Sequence, residues 1–237
     1  MIILKGISFS YPKTKYNILN NININFEKGL VNVLIGLNGA GKTTLFDILI
    51  GQYKPLSGEI YNMPLPEEAL YHVQGAYISF LVKGKDYIRL IYSISNKKFS
   101  SNPEHLMKDI TLIDEREKRL FLDLWDKRIG QMSVGERRWL YITILSQIKK
   151  KLYIFDEPTA GVDPSSRIKI YKRLEKLSTS SDATLILATH HLHELKEINC
   201  KIILLHKGEV KFQGNFGEFI SISGKSNPDE AFDQLIN

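Results

Sequence analysis

The apolar positions of this chain change their period along its length. From residue 18 to 26 they alternate with polar ones, with Ile18, Asn20, Ile22, Ile24 and Phe26 on one face. That period of two predicts a strand buried on one side. Residues 30–35, 152–156 and 184–188 are short, nearly continuous apolar runs, as in strands covered on both faces of a parallel sheet. A fourth run, 201–205, leads through Lys207-Gly208-Glu209 into Val210-Lys211-Phe212, which reads as a hairpin. Between about residues 85 and 147 the period lengthens to that of a helix. Tyr87, Leu90, Ile91 and Ile94 share one face, followed by Leu112, Ile113, Leu120, Leu124 and Trp125. Asn102 before Pro103 and Ser133 before its apolar run mark helix starts. The pattern predicts an α/β core interrupted by an α-helical insertion.

One junction carries chemistry. The strand at 30–35 runs into Gly36-Leu37-Asn38-Gly39-Ala40-Gly41-Lys42-Thr43-Thr44, which satisfies G-x-x-x-x-G-K-[ST], and a helical run ended by Gly51 follows. Strand, glycine loop and helix in this order form a phosphate cradle. The glycines let the backbone curl so that N–H groups of Asn38, Gly39, Ala40 and their neighbours point inward, while the helix adds its positive end. Lys42 is expected to reach the β- and γ-phosphates, and the Thr43 hydroxyl to sit on Mg²⁺. A nucleoside triphosphate is the expected ligand.

A second run, Leu152-Tyr153-Ile154-Phe155-Asp156-Glu157, ends in two carboxylates at the edge where an open α/β sheet binds its ligand. Asp156 is expected to hold Mg²⁺. Glu157, on the alternate side of the strand end, is expected to orient or deprotonate the attacking water. Taken alone, a strand ending in a charged turn explains both acids, and a phosphate loop alone fits kinases, small GTPases and AAA-type machines.

The remaining motifs narrow the choice. Met132-Ser133-Val134-Gly135-Glu136 precedes Phe155-Asp156-Glu157-Pro158-Thr159-Ala160-Gly161-Val162-Asp163, and Ala188-Thr189-His190-His191 follows. In this order and spacing the chain resembles the ATP-binding cassette (ABC) family of ATPases from Tyr11 to about Gly214. The resemblance implies an α/β fold: a P-loop NTPase core with a mixed, largely parallel sheet, an N-terminal antiparallel β-subdomain and an α-helical insertion subdomain. The core would comprise 1–75 and 148–237, and the helical subdomain 76–147.

By the same resemblance, Tyr11 stacks on adenine, Gln74 senses Mg²⁺ and the attacking water, and His190 contacts the γ-phosphate. Thr44 completes the loop. Ser133 and Gly135 close over ATP held by a second copy, and Asp163 lies on the loop that crosses between subunits. The chain departs from the usual form at the signature, MSVGE in place of LSGGQ, so that Val134 replaces glycine and Glu136 replaces glutamine. His191 stands where aspartate is common, and the segment from Gly58 to Gln74 is short.

The resemblance further implies ATP hydrolysis by a head-to-tail pair, made with a second copy or a homologous cassette. An integral membrane partner would be gripped by the helical insertion and the Gln74 loop. The short layout from Gln74 to Tyr87 looks like exporter-type subunits that handle drugs, peptides or lipids. The alternative is a soluble ABC-type ATPase acting on the ribosome, on DNA or in iron–sulfur assembly. Ribosomal members carry two cassettes and DNA members long coiled coils, neither of which occurs here. A module that binds without hydrolysing is disfavoured by Glu157 and His190.

Composition adds limits. The 237 residues are 43% hydrophobic and 24% charged with a formal charge of +6, and no apolar run approaches the roughly 18 residues of a membrane span. Lys97-Lys98 and Lys149-Lys150-Lys151 are short and separate, as on a solvated surface, so no nucleic acid is expected. The single cysteine, Cys200, suits a reducing compartment and a buried thiol. The N-terminus lacks a signal-peptide layout, and the expected location is the cytoplasmic face of a membrane, through the membrane partner. His72, His105, His193 and His206 lack metal-ligand spacing, and Trp125 and Trp139 fall on core-like helical positions.

Overall fold

A computed structural model describes residues 1–237 except 13, 15, 76, 77, 113, 223, 225 and 226. The chain divides into two compact units: Met1–Gln74 with Lys150–Pro158 and Leu174–Asn237, and Gly75–Lys149 with Thr159–Arg173.

The first unit holds two sheets. Strands β1 (Ile2–Phe9), β2 (Leu19–Phe26) and β4 (Ser57–Tyr61) form an antiparallel sheet in the order β2-β1-β4. The second sheet contains β3 (Val31–Ile35), β5 (Ala69–His72), β6 (Leu152–Asp156), β7 (Thr184–Ala188), β8 (Cys200–His206) and β9 (Glu209–Asn215), in the order β5-β6-β7-β3-β8-β9. All its pairs are parallel except the β8–β9 hairpin. Its β3, β6 and β7 are buried at every residue, which is why they read as unbroken apolar runs.

One face of that sheet shares a core with the antiparallel sheet and with helix α1 (Lys42–Leu49). Leu34, Leu152, Ile154, Ile186 and Ile203 pack with Leu4, Ile7, Ile22, Ile24, Leu45 and Phe46. Full burial of a side chain such as Phe46 contributes about 1.5–3 kcal/mol.

The alternation expected from residue 18 to 26 holds only in its second half. Ile22, Ile24 and Phe26 are buried, but Leu19 takes the inward position that Ile18 and Asn20 were expected to share. Asn21, at φ 48°, lies in a bulge: β1 advances two residues from Ile7 to Phe9 while β2 advances three, from Ile22 to Leu19.

The second unit is helical: α2 (Gly84–Ile94), α3 (Pro103–Met107), α4 (Glu115–Trp125), α5 (Val134–Leu145) and the start of α6 (Pro164–Ser180). Asn102, Asp114 and Ser133 cap α3, α4 and α5 with side-chain oxygens that accept first-turn N–H groups. The buried stripe of α2 is Gly84, Tyr87, Ile88, Ile91 and Tyr92. Leu90 and Ile94, expected on the core face, are 55% and 71% exposed instead. Tyr92 captures the stripe and rotates it by one position. On α4 the buried face is Glu117, Phe121, Leu124 and Trp125, with Leu120 half-buried; Ile113 lies outside the described residues.

Residues 159–173 group with the helices, whereas the sequence reading placed the whole of 148–237 in the core. The buried Arg173 ties the end of this stretch to the helices. It pairs with Glu117 of α4, and its Nη1 donates to the Thr111 carbonyl at 2.7 Å. Among the described residues no helix is long and apolar enough to cross a membrane.

Candidate functional site

In the first unit the sheet register aligns the ends of four strands. Leu34 of β3 and Asp156 of β6 both sit opposite Ala188 of β7, and His72 of β5 sits opposite Phe155. The residues just beyond these ends, Gly36, Gln74, Glu157 and Thr189, therefore emerge along one edge. They line a cavity of about 730 Å³ together with Tyr11, Asn38, Gly39, Gly41, Lys42, Thr43, Thr44, Asp156 and His190. Ala40 is buried, and its carbonyl accepts from the Gly208 N–H at 3.2 Å.

The loop's glycines are sterically required. A Cβ on Gly36 would lie 2.2 Å from the Leu205 carbonyl oxygen, and Gly41, the residue before α1, has φ 107°. Lys42 Nζ donates to the carbonyls of Gly36 and Leu37 at 2.7 and 3.1 Å. Burial pushes its pKa down, against the nearby charges of Glu157 and Asp156.

Asp156 and Glu157 do not face opposite ways as strand alternation implied. Glu157 has φ 47°, a left-handed conformation that costs about 1–3 kcal/mol for a non-glycine residue. The turn brings both carboxylates to the same cavity, with the Glu157 N–H bonded to the Ala188 carbonyl at 3.0 Å. Burial, then the charge of Glu157, raises the pKa of Asp156; the charge of Lys42 and, after it, the hydrogen-bonded Thr43 side chain oppose this. Two hard oxygen donors thus meet at the foot of the loop, a set that suits Mg²⁺. His190 Nδ1 lies 3.0 Å from Glu157 Oε2.

Tyr11 lines the cavity while its hydroxyl lies 3.0 Å from Thr44 Oγ1 and its ring meets Phe9 and Tyr53 edge-on. After the short helix α7 (Phe216–Ser221), helix α8 (Pro228–Ile236) adds Asp229 and Phe232 to the wall, which the sequence reading missed. Pro228 after the capping Asn227 was a legible start signal, but nothing local links that helix to a loop almost 200 residues earlier.

Ser133, Gly135 and Asp163 belong to the helical unit and line a cavity of about 740 Å³ there. Asp163 Oδ1 accepts from Ser165 Oγ at 2.7 Å and from the Ser166 N–H at 3.0 Å, and these serines hold its pKa down to about 2.

Residues 19–160 match the family model for ABC transporters. The chain belongs to that family. As an ABC cassette it is an ATPase, and ATP and ADP are its nucleotides. An AAA-domain model (putative AbiEii toxin, type IV TA system) matches residues 127–196. The cassette is 29% identical over 225 residues to the energy-coupling factor transporter ATP-binding protein EcfA1 of Mycoplasma mobile, covering 91% of this chain and 80% of that protein. An ATP-binding subunit of an ABC transporter shares its fold with a TM-score of 0.76 at 22% identity, over 99% of this chain and 98% of that one. The dimeric cassette MJ0796, in a post-hydrolysis state bound to ADP and Pi, does so with a TM-score of 0.66 at 20% identity, over 91% and 99%. The fold class expected from the motifs is the one found.

Proposed function

We propose that this cassette powers a transporter through a separate membrane-spanning partner, hydrolysing ATP·Mg²⁺ as one half of a head-to-tail pair at the cytoplasmic face of a membrane. The observation that carries the reading is the division of the motif residues. Phosphate-loop, carboxylate and histidine groups line the cavity of the first unit, and Ser133, Gly135 and Asp163 line that of the helical unit. A second copy bringing its helical unit to the first cavity would complete the site around ATP.

Within that site the roles follow from chemistry. The loop N–H groups and Lys42 bind the β- and γ-phosphates, and Tyr11 offers the base a ring. Thr43, Asp156 and, through water, Gln74 would hold Mg²⁺, which neutralises charge on the phosphate oxygens. Glu157 is buried at the cavity wall with Oε2 3.0 Å from His190 Nδ1 and no hydrogen bond to that oxygen among the described residues, a carboxylate placed to take a water proton. Ser133 and Gly135 of the second copy would bind the γ-phosphate through a helix start, and His190 would contact the same phosphate.

Leu90 and Ile94 are exposed on α2, as are Phe80 and Leu81 before it. This apolar set supports a membrane partner that covers it. The short stretch between Gln74 and Tyr87 favours export. The alternative, a soluble cassette ATPase without a transporter, has no comparable observation behind it.

Two experiments test the proposal. Glu157→Gln should stop turnover and form an ATP-dependent dimer by light scattering; a monomer at saturating ATP refutes the pair. Tagged protein from gently solubilised membranes should carry a polytopic protein in near one-to-one ratio. Recovery with ribosomal, nucleic-acid or cluster-assembly partners alone would overturn the transporter assignment. With the partner present, inverted vesicles should load substrate on ATP addition; loss of preloaded substrate would reverse the direction.

A further inference from the structure

Helix α5 opens with a reciprocal cap. Ser133 Oγ accepts the Glu136 N–H at 3.1 Å, and Glu136 Oε2 accepts the Ser133 N–H at 2.7 Å. This uses one lone pair of the serine hydroxyl. It also fixes a carboxylate in the first turn, beside the two residues expected to meet a phosphate. A helix start attracts anions through its N–H groups and dipole. An unneutralised Glu136 would oppose that attraction at the shortest range. The usual family residue here, glutamine, makes the same cap without charge.

A cation answers this acid. Lys127 Nζ donates to both Glu136 oxygens, at 3.0 and 2.9 Å. The side chains are 32% and 27% exposed, so water screens the pair only in part. Lys127 is also held by its backbone: its carbonyl accepts the Gly84 N–H at 3.0 Å. Gly84 is clamped in turn, since a Cβ there would lie 2.1 Å from the Leu124 carbonyl oxygen. The ammonium is therefore positioned by the α4–α5 connection. Burial works against ionisation of Glu136, yet the bonds from Lys127 and the Ser133 N–H hold its pKa below the usual carboxylate value. Asp163, the other motif acid lining this cavity, is bound by Ser165 and Ser166.

We propose that Lys127 is a positioning residue for the ATPase: by neutralising Glu136 it makes an acidic signature motif competent to receive the γ-phosphate of ATP held by a second copy. The inference rests on the head-to-tail reading above. Lys127 itself touches no nucleotide; it acts through Glu136. Lys127 and Glu136 would thus form a compensated pair in which the acid is tolerable only with its cation.

The test uses the full chain in the Glu157→Gln background and reads the ATP concentration for half-maximal dimerisation. Lys127→Met should raise that concentration about tenfold or more, about 1.4 kcal/mol per decade, while ATP binding to the dilute monomer stays unchanged. Adding Glu136→Gln to Lys127→Met should restore dimerisation, and Glu136→Gln alone should dimerise at least as readily as the parent. Melting temperatures separate this from a structural role, in which each single substitution and the double would weaken dimerisation in proportion to lost stability. Lys127→Met dimerising at parental ATP concentrations, or failure of Glu136→Gln to rescue it, would overturn the proposal. A parent that stays monomeric at saturating ATP overturns the head-to-tail reading and this inference with it.

Discussion

His190 Nδ1 stands 3.0 Å from Glu157 Oε2, within ion-pair distance, although that buried oxygen accepts no hydrogen bond among the described residues. The histidine ring is itself 61% exposed at the cavity wall. Both side chains line the same cavity, so each can meet a water or a phosphate oxygen held in it. Replacing His190 with Ala should lower kcat by about 10²–10³-fold, the usual loss of one transition-state donor. ATP affinity of the monomer should change little. Single-turnover kinetics and equilibrium binding separate the two, and a variant with half the parental kcat would remove His190 from the chemistry.

In the proposed site Lys42 binds the nucleotide's phosphates. Its ammonium makes charge-assisted bonds to loop carbonyls and lies near Asp156 and Glu157. Lys42→Ala should weaken ATP about 10–100-fold, as a charged hydrogen bond contributes about 1.5–3 kcal/mol. Calorimetric titration would check this, and unchanged affinity would sink the assigned role.

Phe232 is half-buried on α8 and lines the same cavity as Tyr11. An aromatic contact contributes about 0.5–1.5 kcal/mol beyond its buried area. Phe232→Ala should therefore weaken ATP about two- to tenfold with little loss of thermal stability. Identical affinity in the variant would mean that α8 walls the cavity without touching nucleotide.

The helical unit depends on a buried ion pair. Glu117 and Arg173 are 7% and 5% exposed, the Trp139 indole N–H donates to Glu117 at 3.0 Å, and Arg173 lies over the Trp139 ring. Glu117→Ala strands a buried guanidinium and should destabilise the protein by about 3–5 kcal/mol. Urea denaturation measures this, and a loss below 1 kcal/mol would mean that water reaches the pair.

Cys200 is 4% exposed, and burial, reinforced by the charge of Glu175, pushes its thiol pKa up to about 12. The native thiol should resist alkylation at pH 8 and react once urea unfolds the chain. The sign is that of a raised pKa. Folding favours the neutral thiol, so its stabilisation is complete below the unfolded value near 9 and declines as pH rises toward 12. Rapid labelling of the native protein at pH 8 would contradict the burial.

Sequence alone determined the parts of this cassette whose signals are local. The strands β3, β6, β7 and β8 were legible because burial on both faces demands an unbroken apolar run. The loop from Gly36 to Thr44 was legible because backbone sterics there admit only particular residues. The helix starts at Asn102 and Ser133 were legible because capping needs a side-chain oxygen within a few residues of the N–H it accepts.

Tertiary structure decided what depends on distant neighbours. Leu90 and Ile94 fit the helical period as well as Ile88 and Tyr92 do, and only packing chose which pair is buried. Glu117 entered the helical core because Arg173, 56 residues away, neutralises it. Glu157 turned toward Asp156 because a left-handed residue broke the strand's alternation. Phe232 reached the cavity because the C-terminal helix folds back to it. Periodicity and motif spacing report forces acting within a few residues; such long-range pairings exist only once the chain has closed on itself.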